Sequence, residues 1–246
     1  MKKTILLSSL FAVGAAFATT VESGNAVGAL DKQISTSDAN QILISVPFLG
    51  YENGGAVKVC DMVKTSNLDE GSKLYVPDDK GTYNTWTLNA SGEWVADLKV
   101  TIVNFGTPGV EPSDNQANAT VERGSAFWLQ PKFRTGTTTD TIFLLGQGVA
   151  DDGQSTAAQG WNLIGNASLK DVDLKDLEAA TDDQIVVQEN GALRYYTFKE
   201  GKGWRYTNGG KWVANGLVTI KPGQGLWYKP ATAKTIDWST GKAVKN

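Results

Sequence analysis

Gly223-Gln224-Gly225-Leu226-Trp227-Tyr228-Lys229-Pro230 closes the second half of this chain, and Gly124-Ser125-Ala126-Phe127-Trp128-Leu129-Gln130-Pro131 is an earlier copy of the same design. Each copy is a turn glycine, a short apolar run centred on a tryptophan, and a proline. A strand entered by a tight turn and stopped where a ladder donor is lost reads this way.

Working outward, further segments match in the same order. Trp161-Asn162-Leu163-Ile164-Gly165 takes the place of Gln41 to Ser45, and Ile185-Val186-Val187 that of Leu74-Tyr75-Val76. Gly191 to Phe198 matches Gly81 to Leu88, and Gly210-Lys211-Trp212-Val213-Ala214 matches Gly92-Glu93-Trp94-Val95-Ala96. Repetition in fixed order marks an internal duplication. Loops absorb the changes in spacing, above all the insertion-like stretch 105–119.

Many short runs of β-prone residues between turn residues predict an all-β, mainly antiparallel fold. The expected architecture is two similar sandwich- or barrel-like units in contact, each with one short helix. A single sandwich built from both halves is the alternative. The helices are placed at 59–66, with Asp61 as N-cap, and at 171–180, with Asp173 capping and Asp176 at N3. The expected boundaries are a signal peptide over 1–18, an N-terminal strand or arm over 19–39, a first unit over 40–148, a linker over 149–159 and a second unit over 160–246.

Lys2 and Lys3, the apolar run to Ala15 and Ala16-Phe17-Ala18 have the order of a secretory signal peptide. The run is too short for a transmembrane helix, so the expectation is export to the periplasm, the outer surface or the extracellular space. Net charge is −3 without a basic track, which argues against nucleic-acid binding. Lys199, Lys202, Arg205 and Lys211 read as a solvated hairpin face. Cys60 is the single cysteine, so an internal disulfide is impossible, and its apolar neighbours suggest a small buried residue. There is no histidine; Ser-His-Asp and Cys-His catalysis and imidazole metal sites are excluded.

Gly160-Trp161-Asn162-Leu163-Ile164-Gly165-Asn166, followed by Gly223-Gln224-Gly225-Leu226-Trp227-Tyr228, resembles a repeat of exported bacterial surface proteins that reads GWNLIGNP near its start and GxGFW or GxGYW near its end. The resemblance covers most of the chain after residue 18. It implies an extracellular β module with no assigned chemistry. Ala167 departs from it where proline is usual.

Eight tryptophans and seven tyrosines are the main candidates for function. Trp94, Trp128, Trp161, Trp212 and Trp227, with Gly124 and Gly223, fall at repeated positions and are assigned to the structural core. Trp86, Tyr195, Tyr196, Trp204 and Tyr206, with Arg194 and Arg205, lie on or beside one hairpin. They are the candidate ligand face, because exposed aromatics stack sugar rings. The acidic clusters Asp78-Asp79, Asp151-Asp152, Asp171 with Asp173 and Asp176, and Asp182-Asp183 read as turns and caps, and no EF-hand spacing is present. Glu93 and Glu122 illustrate a carboxylate pair of the kind a glycosidase uses, a remote possibility. The expectation is an exported, non-enzymatic protein without cofactor or metal, with a structural or interaction role toward other surface proteins or copies of itself. A carbohydrate-binding module is the alternative.

Overall fold

A computed structural model describes residues 27–36, 41–50, 55–64, 67–77, 82–97, 100–104, 107–110, 120–147, 153–208, 211–214, 218–240 and 242–243. The expected signal peptide and the arm up to residue 26 lie outside them. The described chain is nearly all β. Among the described residues no helix is long and apolar enough to cross a membrane.

The first unit contains β1 (Val27–Ser35), β2 (Ile42–Ser45), β3 (Val57–Lys58), β4 (Val63–Lys64), β5 (Lys73–Pro77), β6 (Tyr83–Leu88), β7 (Trp94–Ala96), β8 (Val100–Asn104), β9 (Thr107–Val110), β10 (Thr120–Val121), β11 (Ala126–Gln130) and β12 (Thr139–Gln147). The second contains β13 (Gln154–Ala157), β14 (Asn162–Gly165), β15 (Val172–Asp173), β16 (Gln184–Glu189), β17 (Ala192–Lys199), β18 (Gly203–Asn208), β19 (Lys211–Ala214), β20 (Thr219–Ile220), β21 (Gly225–Lys229), β22 (Lys234–Asp237) and β23 (Lys242–Ala243). Every pairing among them is antiparallel.

The main sheets run β2-β11-β5-β6-β7 and β14-β21-β16-β17-β18-β19. The smaller sheets run β1-β12-β4 and β13-β22-β23, and the two-stranded ribbons β3-β10 and β15-β20 also correspond. Each unit has its own core. Ile34, Ile44, Leu74, Trp86, Phe127 and Leu144 belong to the first; Ile164, Ile185, Tyr196, Trp204, Tyr228 and Trp238 belong to the second.

Several expectations need correction. Residues 154–157 of the expected linker form β13, paired with β22. Ser155 and Ala157 face inward while Gln154 and Thr156 are exposed, an alternation too short and too small in side chain to register as a hydrophobic pattern. Of the two alternatives for 19–39, the described part takes the first: Val27–Ser35 is a strand of this chain, paired with β12 along its whole length. Insertion residues 107–110 are β9, in a hairpin with β8; the remainder lies outside the described residues. The helices shrink to α1 (Val59–Met62), with Asp61 inside it and Lys58 at its N-cap, and a 3-10 turn, Leu174–Asp176. Asp173 makes no capping bond; its carboxylate instead accepts from the Thr219 hydroxyl at 2.9 Å.

The shared sequence GxWVA proves misleading. Leu88 pairs with Trp94, and Phe198 pairs with Trp204. The Trp94 indole N–H donates to the Val63 carbonyl at 3.1 Å, and the Trp204 N–H to the Leu177 carbonyl at 3.3 Å. Val63 and Leu177 are the C-cap residues of the two short helical turns. Trp204, not Trp212, is therefore the counterpart of Trp94. The second sheet has one more strand, β19, and Trp212 rides on that added edge. Trp204→Phe is expected to lower unfolding free energy by about 1–3 kcal/mol, because the buried Leu177 carbonyl loses its donor; urea titration measures it.

The glycine motifs join the two units. Ser45 N–H donates to the Gly223 carbonyl, and Gly165 N–H donates to the Gly124 carbonyl, both at 3.0 Å. Bridges Ile44↔Gln224 and Ser125↔Ile164 repeat the exchange. Ser45 corresponds to Gly165, Ile44 to Ile164, Gly124 to Gly223 and Ser125 to Gln224, so the contact has a local two-fold character. Gly124 and Gly223 are buried with φ of +84° and +71°, a conformation costly for any residue with a Cβ. Arg123 spans the junction, donating from Nε to the Pro47 carbonyl (3.0 Å) and from Nη2 to the Ala167 carbonyl (2.9 Å).

Candidate functional site

The period of two in a strand sends neighbouring residues to opposite faces. On β17, Tyr196 enters the second core at 2% exposure while Tyr195 is 64% exposed. Cross-strand register extends the outward row. Leu163 pairs with Trp227, Trp227 with Val186 and Val186 with Tyr195. One step from the Tyr196↔Tyr206 pair, Tyr195 stands beside Thr207, which pairs with Trp212. Trp227, Tyr195 and Trp212 thus occupy alternate strands, spaced about 10 Å apart at a strand separation near 4.8 Å. The adjacent row carries Lys229, Gln184, Thr197 and Arg205. Trp161, 45% exposed, has the Lys229 ammonium 5.9 Å from its ring centroid.

Burial largely inverts the expected roles. Trp86, Tyr196 and Trp204, assigned to the ligand face, are core residues at 1–2% exposure. Trp161 and Trp212, assigned to the core, are exposed. Trp94 is half-buried against the first core, while Trp128 and Trp227 are half-buried on the outward faces. The repeated tryptophans mark equivalent positions, but being equivalent does not put a position on the inner face.

The remaining predicted ligand residues divide. Arg194, Tyr196 and Tyr206 interlock on the core side of the sheet. The Tyr196 hydroxyl donates to Glu189 at 2.5 Å, Arg194 lies 3.2 Å from the same carboxylate, and the two tyrosine rings meet edge to face at 5.5 Å. Burial, aided by the Glu189 bond, pushes the Tyr196 phenol above its ordinary range. Glu189 thus engages both the Tyr196 hydroxyl and Arg194. Tyr195 and Arg205 remain on the open face.

Lys199, Glu200, Lys202, Arg205 and Trp212 line an open recess of about 620 Å³ at the β17–β18 turn. Lys199 is held 2.8 Å from Asp182 and lies 5.9 Å from the Trp212 ring centroid. Arg205 Nε donates to the Lys202 carbonyl at 3.0 Å. Among the described residues, neither Lys202 nor Arg205 has a carboxylate partner. On the first unit's corresponding face, beside half-buried Trp128 and exposed Tyr83 and Val95, the polar groups pair among themselves: Lys73 binds Asp97 at 2.9 Å, Thr87 donates to Asp97 at 2.6 Å, and Tyr75 donates to Gln130 at 2.6 Å.

Cys60 is half-buried against the first core rather than fully enclosed. Glu93 lies in the β6–β7 turn and Glu122 just after β10; both are exposed. Asp183, read as a turn residue, is fully buried. It accepts from the Tyr228 hydroxyl (2.7 Å), the Lys234 ammonium (2.6 Å) and the amides of Ala231 (2.6 Å) and Ala180 (3.0 Å). Burial raises its pKa, but these four donors prevail and hold the carboxyl below its ordinary value.

The conspicuous asparagines of the second unit are occupied within the fold. Asn162 donates to the carbonyls of Ala158 and Gly160 and accepts from the Ala158 amide, tying down the turn before β14. Asn166 donates to the carbonyls of Lys170 and Ile220.

Comparison with known proteins gave no match to a family model, to a curated protein or to a solved structure. The likeness to bacterial surface repeats rests on the quoted motifs alone.

Proposed function

We propose that this chain is an exported, non-enzymatic binding protein whose second unit holds an extended glycan on the outer face of its six-stranded sheet. The observation that carries this reading is the placement of Trp227, Tyr195 and Trp212 on alternate strands of one face, with Tyr195 and Trp212 more than half exposed. Sugar rings present apolar C–H faces, and rigid aromatic side chains meet them with large area and little entropy loss. Alternate-strand spacing suits every second ring of an extended chain rather than one enclosed ligand. The first unit acts as the platform to which the second is fixed.

Tyr195→Ala and Trp212→Ala test the reading. Both side chains are solvent-exposed, so the thermal midpoint should stay within a few degrees. Affinity electrophoresis in β-linked polysaccharides should show each variant binding about tenfold more weakly, equivalent to 1.4 kcal/mol. Wild-type protein that migrates unretarded in every polysaccharide tried, and is silent on a glycan array, would sink the proposal.

A further inference from the structure

We infer that the recess beside Trp212 takes a carboxylated sugar, so that the preferred glycan is an extended polyuronate chain. This rests on the glycan-binding reading above and names the chemistry of its ligand. Trp212 supplies a ring wall, 56% exposed. Around the same recess stand the cations Lys199, Lys202 and Arg205 and one anion, Glu200. Lys199 is engaged by Asp182 and serves to position the Trp212 side of the recess. Lys202 and Arg205 remain available for a ligand carboxylate, and Lys229 adds a cation on the same face toward Trp161. Cations beside an exposed ring, in a chain whose net charge is −3, form a local complement to an acidic sugar.

The geometry favours a uronate over a nucleic acid. A phosphodiester backbone carries a charge about every 3.4 Å per strand and is held by a continuous basic track. Here the cations are concentrated at one turn, Glu200 interrupts them, and most of the face between Trp212 and Lys229 is neutral. One carboxylate per stacked ring matches that distribution. Arg205 offers a planar guanidinium for two-point contact with a carboxylate, and Lys202 a point charge.

Binding of the full chain to a β-linked polyuronate and to the same polymer after carboxyl reduction, at low and moderate salt, tests this. The acidic polymer should bind about tenfold more tightly, the size of one charge-assisted hydrogen bond. Raising the salt should narrow the difference. Arg205→Gln and Lys202→Gln should each bring the ratio close to unity, whereas Lys64→Gln, an exposed lysine of the first unit, should leave it unchanged. Equal affinity for acidic and reduced polymers in the wild type would overturn the inference while leaving the aromatic face intact. Failure to bind either polymer would overturn the inference, and the glycan-binding reading would fall with it only if every other polysaccharide and the glycan array were also silent. Tighter binding of a single-stranded DNA oligonucleotide than of the polyuronate would replace the acidic sugar with a phosphodiester.

Discussion

Asp183→Ala should destabilise the protein by about 3–5 kcal/mol, the cost of leaving one member of a buried ion pair without its partner. The Lys234 side chain is only 12% exposed and Asp183 is fully enclosed, so little water reaches the orphaned ammonium. Tyr228 loses its acceptor as well, and so do two backbone amides. Urea unfolding at pH 7 measures the loss. The pH dependence has a fixed sign. The folded pKa of Asp183 lies below its unfolded value near 4, so the stabilisation is complete above about pH 4 and fades as pH falls through the lower folded value. The gap between wild type and Asp183→Ala should therefore be smaller at pH 3 than at pH 7. An equal gap at the two values would show that the charge is not what stabilises the site.

The first unit supplies a control for this prediction. In register, Ser72, Leu129 and Ile142 stand where Asp183, Tyr228 and Lys234 stand in the second. Ser72 Oγ accepts from the Lys132 amide at 2.9 Å, as Asp183 accepts from Ala231. All three first-unit residues are buried. Exchanging a buried charged set for fitted apolar residues is often neutral or stabilising. The triple variant Asp183→Ser, Tyr228→Leu, Lys234→Ile is therefore expected to unfold within about 1–2 kcal/mol of wild type, although it removes more hydrogen bonds than Asp183→Ala does.

Gly165→Ser should destabilise by about 3 kcal/mol through overpacking at the junction of the units. A Cβ at Gly165 would lie 2.1 Å from Ser45 Cβ and 2.8 Å from the Gln224 carbonyl oxygen. Space rather than backbone conformation is the obstacle. Gly225 faces the same restriction, since its Cβ would lie 2.7 Å from that of Ala126. Ser45 and Gly165 are equivalent residues meeting across the local two-fold, so the cost should be mutual. Adding Ser45→Gly to Gly165→Ser should recover at least half of the lost stability, and a double-mutant cycle reads this as a large favourable coupling. Strictly additive effects would mean that the two positions do not oppose each other in solution.

Neighbouring residues show how far the sequence could be read. Gly124 and Gly223 were legible as turn glycines, because a glycine before a strand-like run signals a turn that needs positive φ. The strands around Trp128 and Trp227 were legible for the same local reason. Tyr195 and Tyr196 were not separable, although one is on the surface and the other in the core. Alternation fixes that they differ, and nothing in the hairpin itself says which one points inward. Trp94 and Trp212 share four of five local residues, yet an added strand puts them on opposite faces. Asp182-Asp183 reads as an ordinary acidic turn; Tyr228 and Lys234, which make Asp183 a buried charge, come from distant strands.

The sequence alone therefore determined the all-β character, the repeated strand order and the turns, since each depends on residues within a few positions of one another. Tertiary structure decided which face of each sheet became core, which small residues met at the junction and which aromatics were left facing solvent. A strand's period of two sets its faces relative to each other, and only the surface packed against it makes one of them the inside.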